Sequence, residues 1–248
     1  MTPPVPRILA TSGGFRPTPR WGVLEPAGLV AAALRLSGKD RPRLAFVLTA
    51  SGDDPQYLAR MYGAFRGWSV DLTHLSLFTQ PTSDPRELLL QQDVVWVGGG
   101  SVANLLAVWR VHGLDTIFRE AWEAGIVLGG VSAGSICWHV GGPTDSYGPE
   151  LQLQTGGLGL LPYGNGVHYD SEEQRRPLLH RLVAAQELPL SYATDDGIGV
   201  LYEGIDPVEV IADDPQAAAE PQGPAAYRVE RAADGSVVET RLTAGALS

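Results

Sequence analysis

The stretch from Val94 to Trp138, VVWVGGGSVANLLAVWRVHGLDTIFREAWEAGIVLGGVSAGSICW, constrains the fold of this chain more than any other. It holds two apolar runs of strand length, Val94 to Val97 and Ile126 to Leu128, each ending in glycines. The second run opens into Gly130-Val131-Ser132-Ala133-Gly134, a G-x-S-x-G pentapeptide. Such a sequence allows a serine to sit on a tight strand-to-helix turn, with small neighbours that let the backbone bend and a substrate approach Oγ. Ser135 to Trp138 can begin the helix that follows. Ser132 is therefore a candidate nucleophile, and a glycine-flanked buried serine in a plain turn is the competing reading.

The chain on either side alternates strand and helix patterns. Arg7 to Thr11, Leu44 to Leu48, Val70 to Leu77 and Val94 to Val97 read as strands. Between them, Glu25 to Leu36, the segment opened by Asp54-Pro55 and Asp84 to Gln91 have helical spacing or helix-start signals. Val102 to Val111 and Leu114 to Ala124 are helical as well. This alternation predicts βαβ units, right-handed crossovers and an α/β three-layer sandwich with a mainly parallel sheet. Ligands in such sheets bind at the carboxyl ends of strands. Ser12-Gly13-Gly14, Ser51-Gly52, Gly98-Gly99-Gly100 and Ser132 all fall there.

Beyond the serine turn the pattern loosens. Leu151 to Leu161 reads as short strands and turns, and Glu172 to Leu188 as a helix that must hold Pro177 near its first turn or kink there. Leu190 to Thr194 and Ile198 to Tyr202 are strand candidates around Asp195-Asp196-Gly197, followed by a last strand pair at Val208 to Ile211 and Ala226 to Val229. The residues 241–248 are expected to fray. One domain over 1–248 accounts for the length, because no composition shift divides the 248 residues.

Charge narrows the function. A formal net charge of −10 argues against a nucleic-acid partner, since phosphate binding needs a basic face. No apolar run approaches a membrane span, no signal peptide pattern is present, and Cys137 is the single cysteine, so a cytoplasmic protein without membrane association is expected. Apolar helices permit a homodimer. No H-x-x-x-H or C-x-x-C spacing suggests a metal, and Gly98-Gly99-Gly100 lacks the Lys-Ser/Thr of a phosphate loop, so no cofactor is expected.

A serine nucleophile needs a base, and the base needs an orienting acceptor. Of five histidines, His74 lies within a strand pattern, His180 within a helix, and His112 at a helix end. His139 follows Ser132 by seven residues, about 10 Å along a helix. His168, after a Gly-Asn-Gly turn, is placed to reach a crevice from a loop. Asp195 and Asp196 before Gly197 are candidate acids, although Asp-Asp-Gly is also an ordinary turn signal.

Three blocks, VVWVGGGSVANLL, GIVLGGVSAGSICW and VHYDSEEQRRPLLHRLVAAQELPLSYATDDGIGVLY, resemble the peptidase E and cyanophycinase family of serine peptidases over roughly residues 5 to 212. The resemblance implies a class I glutamine-amidotransferase-like fold with a flavodoxin-like core and a Ser-His-acid triad. On its motifs Ser132 is the nucleophile and His168 the base. Asp196 takes the place of the family's glutamate, with Asp195 or Asp145 as alternative acids. The resemblance also implies oxyanion donors at the backbone N–H of Gly99 or Gly100 and of Ala133. It further implies hydrolysis of short peptides, as a dipeptidase or exopeptidase, with a preference for aspartyl peptides read by an arginine after the histidine. Aligning Glu173-Gln174-Arg175 with the family's Glu-Gln-Arg leaves Glu172 at that arginine's place. Arg175 and Arg176 are the remaining candidates for a carboxylate-binding fork, against a solvated helix face paired with Glu172 and Glu173. A cyanophycinase-like or other acyl hydrolase, and a non-catalytic binding relative, are the alternatives.

Overall fold

Alternating side chains decide the layering. In a computed structural model, which describes residues 4–81 and 83–247, the chain begins β1 (Arg7–Thr11), a small hairpin of β2 (Phe15–Pro17) and β3 (Leu24–Pro26), α1 (Gly28–Leu36), β4 (Arg43–Val47) and α2 (Pro55–Ala64). It continues with β5 (Asp71–Leu75), α3 (Pro85–Leu90), β6 (Val94–Val97), α4 (Val102–Val111), α5 (Leu114–Glu123), β7 (Val127–Val131) and α6 (Ala133–Ile136). Leu44 and Phe46 of β4, with Val94 and Trp96 of β6, pack against residues of α1 and α2. Ala45, Val47, Val95 and Val97 face the opposite layer, where Leu105 and Trp109 of α4 and Phe118 of α5 lie. Strand side chains point alternately to opposite faces, so continuous apolar runs bury both. Polar residues set the helix starts: Asp54 accepts the Gln56 N–H at 2.7 Å, Asp84 accepts from Arg86 and Glu87, and Ser101 accepts the Asn104 N–H at 3.2 Å.

The second half adds β8 (Gly141–Thr144), β9 (Gln152–Thr155), β10 (Gly164–Gly166), α7 (Arg175–Ala184), β11 (Ser191–Thr194) and β12 (Ile198–Glu203). After these come β13 (Asp206–Ala212), α8 (Pro215–Ala218), β14 (Ala226–Arg231), β15 (Val237–Leu242) and β16 (Gly245–Ala246). The larger sheet has the order β16-β13-β12-β1-β7-β6-β4-β5. Its β1, β7, β6, β4 and β5 are mutually parallel, and β12, β13 and β16 join antiparallel at one edge. A second, mixed sheet, β15-β14-β11-β10-β8-β9, packs on the first through Tyr192 and Tyr163 against Tyr202 of β12. Its other face is covered by Leu178, Leu179, Leu182 and Val183 of α7.

The protein is thus a mixed α/β structure with more than one sheet: the larger is mainly parallel, as expected, and the second, mixed sheet was not foreseen. Three other boundaries differ from expectation. Glu25 belongs to β3, so α1 starts at Gly28. The helix expected from Glu172 starts at Arg175, which leaves Pro177 in its first turn, where its missing N–H costs nothing. The described residues of the expected tail include paired strands. Arg241 and Leu242 complete β15, and β16 pairs with β13 as Glu209 opposite Ala246 and Val210 opposite Gly245, satisfying an otherwise bare strand edge. The strands at Val208 and Ala226 lie in different sheets and do not form a pair. Among the described residues no helix is long and apolar enough to cross a membrane.

Candidate active site

Ser132 stands between β7 and α6 at φ 58°, ψ −115°, a backbone conformation that a non-glycine residue adopts at a cost of about 1–3 kcal/mol. Its N–H donates to the Thr11 carbonyl at 3.1 Å, and its carbonyl accepts from Ser135 and Ile136, so the turn is fixed on both sides. The flanking glycines are steric requirements. A Cβ on Gly134 would overlap the Val97 carbonyl, and one on Gly130 would lie 2.8 Å from that oxygen and overlap the Gly134 carbonyl. The pentapeptide exists because β6, β7 and α6 meet without side chains between them.

Gly99 lies directly against Ser132. A Cβ there would be 3.2 Å from Ser132 Cβ and 3.7 Å from its Oγ. Gly100 has φ 134°, and a Cβ on it would strike the Ala50 carbonyl, which accepts the Ser101 N–H at 2.9 Å. The Gly98-Gly99-Gly100 loop and the start of α6 at Ala133 therefore border the same serine.

His168 follows β10 with φ 50°. Its N–H donates to Ser12 Oγ at 3.0 Å, and its Nδ1 lies 2.5 Å from Asp196 Oδ1. A carboxylate only accepts, so Nδ1 carries the proton, and in the neutral imidazole Nε2 presents a lone pair. The His168 side chain is 24% exposed and that of Asp196 50%, open enough for a substrate to reach the imidazole. Asp196 is held in turn by its N–H, which donates to Asp170 Oδ1 at 2.9 Å.

The other candidate acids are elsewhere. Asp195 is buried, and its Oδ2 accepts the Ala225 N–H at 2.9 Å and the Tyr227 hydroxyl at 3.1 Å. Burial pushes its carboxyl above the usual carboxylate range. Asp145 is exposed in the turn after β8, and its carbonyl accepts the Gly148 N–H. Of the three acids only Asp196 pairs with His168.

Both arginines depart from the expected fork. Arg175 is 2% exposed; its Nε donates to Glu172 Oε2 at 2.7 Å and its Nη1 to the Pro143 carbonyl, tying α7 to β8. Arg176 donates to Glu239 at 2.7 Å, with its guanidinium 4.5 Å from the ring centres of both Tyr169 and Tyr227. Glu239 also accepts from the Tyr169 hydroxyl and pairs with His180. The solvated helix face holds only in part: Glu172 does pair, but with the buried Arg175, and the acceptors that complete the two arginines come from β8 and β15.

Among the described residues no group of three His, Cys, Asp or Glu is placed to hold a metal. A cavity of about 770 Å³ bounded by Arg35, Glu209, Glu220 and Arg241 lies at the β13 edge, and neither Ser132 nor His168 lines it. Sequence reasoning placed Ser12 at a strand end without giving it a role, and gave none to Asp170 or Tyr227. The available signal was Ser12 opening a glycine loop at a strand end, and Asp170 two residues after His168.

The sequence profile of peptidase family S51 matches residues 25–209, well over half of the chain. The chain belongs to peptidase family S51. Within it, the chain is 44% identical over 169 residues to the uncharacterized peptidase YgaJ of Bacillus subtilis (strain 168), covering 68% of this chain and 73% of that protein. It is 32% identical over 130 residues to Peptidase E of Streptomyces coelicolor, about half of either protein, 51% of each. The crystal structure of a peptidase from an acI-B1 Actinobacterium superposes with a TM-score of 0.71 at 15% identity, covering 98% of this chain and 97% of that one, a likeness of fold. The resemblance drawn from the three sequence blocks holds, and this S51 chain is a serine-type peptidase.

Proposed function

We propose that Ser132, His168 and Asp196 form the catalytic triad of a dipeptidase or exopeptidase acting on short peptides through an acyl-enzyme. The observation that carries this reading is the 2.5 Å contact between His168 Nδ1 and Asp196 Oδ1, at the strand ends where Ser132 sits on its strained turn. In the first half-reaction Ser132 Oγ bonds to the peptide carbonyl carbon while its proton passes to His168 Nε2. The carbonyl oxygen becomes an oxyanion, met by the N–H of Ala133 and of Gly99 or Gly100, one such donor being worth about 3 kcal/mol in the transition state. Collapse breaks the C–N bond, and His168 returns the proton to the leaving amine. Water then hydrolyses the ester by the same steps in reverse roles, freeing the acid and Ser132. Asp196 keeps the imidazole in the Nδ1–H tautomer and balances the positive charge that forms on it.

The parallel order β1-β7-β6-β4-β5, with helices on both faces, supports a class I glutamine-amidotransferase-like, flavodoxin-like core for this fold. Substrate choice is a separate matter. With Arg175 and Arg176 both bound within the protein, we propose small-peptide hydrolysis without a strict aspartyl requirement.

The test is hydrolysis of a panel of dipeptides and tripeptides, including Asp-X, X-Asp and Asp-Arg, by wild type and Ser132→Ala. Cleavage that disappears in the variant supports the reading, and cleavage spread over non-acidic peptides supports the broad specificity. A folded wild type that cleaves no peptide in the panel overturns it.

A further inference from the structure

Ser12 has no part in the proposed bond-making steps, yet among the described residues it is the one side chain hydrogen-bonded to the backbone of His168. It is 3% exposed at the end of β1. Its Oγ accepts the His168 N–H at 3.0 Å and lies 2.7 Å from Thr194 Oγ1 and 3.1 Å from the Thr194 carbonyl. A hydroxyl has one proton and two acceptor sites, so these partners use its full capacity. The Ser12 main chain is equally committed: its N–H donates to Ile198 and its carbonyl accepts from Gly197, the residue after Asp196. The preceding carbonyl, of Thr11, receives the Ser132 N–H. One dipeptide, Thr11-Ser12, thus touches the turns that carry Ser132, His168 and Asp196.

We propose that the Ser12 hydroxyl is a positioning residue for His168, fixing the left-handed backbone from which the imidazole reaches Ser132. The proposal rests on His168 being the base of the triad. His168 at φ 50° needs an anchor, because that conformation is costly for a non-glycine residue and the next turn of chain is exposed at Asp170. Removing Oγ leaves the part-buried His168 N–H facing a methyl group in place of its acceptor. The loop then relaxes and Nε2 moves relative to Ser132. Displacements of about 1 Å in such a pair cost on the order of 100-fold in rate.

The experiment follows acylation of Ser132 by an alkyl fluorophosphonate, which needs no knowledge of the natural substrate. For Ser12→Ala the maximal acylation rate is expected to fall roughly 10- to 100-fold with the reagent's KI unchanged. The far-downfield proton resonance of His168 Nδ1–H should broaden or vanish. Ser191→Ala is the comparison, since it removes another buried hydroxyl, bonded to the Pro189 carbonyl, from the far end of β11. It should lower Tm while leaving the acylation rate within about twofold. If Ser12→Ala does not fold, Ser12→Cys, of similar size but a poor acceptor, carries the same expectation. Wild-type acylation rate and an intact Nδ1–H signal in a folded Ser12 variant overturn the proposal, as does an equal rate loss in Ser191→Ala. His168→Ala run in parallel separates the two readings: full acylation there removes His168 as base, whereas loss there with none in Ser12→Ala removes only the positioning role.

Discussion

Asp195 and Asp196 are consecutive in the chain and serve different partners: Asp196 Oδ1 meets His168 Nδ1, while Asp195 Oδ2 receives the Ala225 N–H and the Tyr227 hydroxyl. Successive residues turn to opposite sides, so one acid reaches the open crevice and the other is buried against β14. Asp196→Asn should lower kcat roughly 10²- to 10⁴-fold, because the amide no longer selects the Nδ1–H tautomer. Its half-exposed side chain limits any stability change to about 1 kcal/mol. Asp195→Ala should do the reverse. The buried Ala225 N–H loses its acceptor, at about 1–3 kcal/mol, and the half-buried Tyr227 hydroxyl loses its own at less, while the proposed triad keeps all its members. Paired measurements of kcat and urea midpoint check this, and a larger kcat loss in Asp195→Ala would reverse the assignment.

Gly99→Ala tests the crevice wall. The new methyl would sit 3.2 Å from Ser132 Cβ and 3.7 Å from Oγ, in space that the proposed mechanism leaves for the peptide carbonyl. The contact is tight but short of a backbone overlap, so the protein should fold with Tm lowered by a few degrees at most. The backbone N–H is retained, so the loss is steric: a reacting carbonyl displaced by about 1 Å should lower acylation about 100-fold. Gly134→Ala, by contrast, would drive a methyl into the Val97 carbonyl and should prevent folding. Expression with circular dichroism separates the two outcomes.

The inner strands were legible because β4, β6 and β7 are apolar on both faces, a pattern carried by local residue type alone. The strand-to-helix turn at Ser132 was legible too, since its G-x-S-x-G signature lies within two residues of the serine. The second sheet was not. Its β8 and β10 read GGPT and GNG, with no apolar alternation, and they are strands because distant backbone pairs with them. Arg175 shows the same limit: on its helix it reads as a surface charge, and only the Pro143 carbonyl, 32 residues earlier, makes it an interior one. The choice between Asp195 and Asp196 likewise depends on which strand lies behind the turn.

Arg175→Ala should therefore change stability and not selectivity. The substitution leaves the buried Pro143 carbonyl without its donor and Glu172 without its partner, and opens the space of a long side chain between α7 and β8. A loss of about 3 kcal/mol is expected. Ratios of kcat/KM between acidic and neutral dipeptides should stay within about twofold. A selective loss on acidic peptides, with urea stability unchanged, would return this arginine to substrate recognition.

His139 supplies the pH dependence. It is fully buried behind the serine turn, with Nδ1 donating to the Ser135 carbonyl at 2.9 Å and its ring 5.8 Å from that of Tyr202. Burial lowers its imidazole to about 4, against the opposing effect of the Ser135 carbonyl. In the unfolded chain it titrates near the ordinary value of about 6.5. Between these values the unfolded state takes up a proton that the folded state refuses, so stability falls as pH drops from about 6.5 towards 4. The full loss from this one site is about 3 kcal/mol. His139→Phe keeps a flat ring against Tyr202 and removes the titration. Urea unfolding at pH 7, 6, 5 and 4 should give a shallower decline for the variant, and parallel declines would mean that His139 is not the group that senses acid.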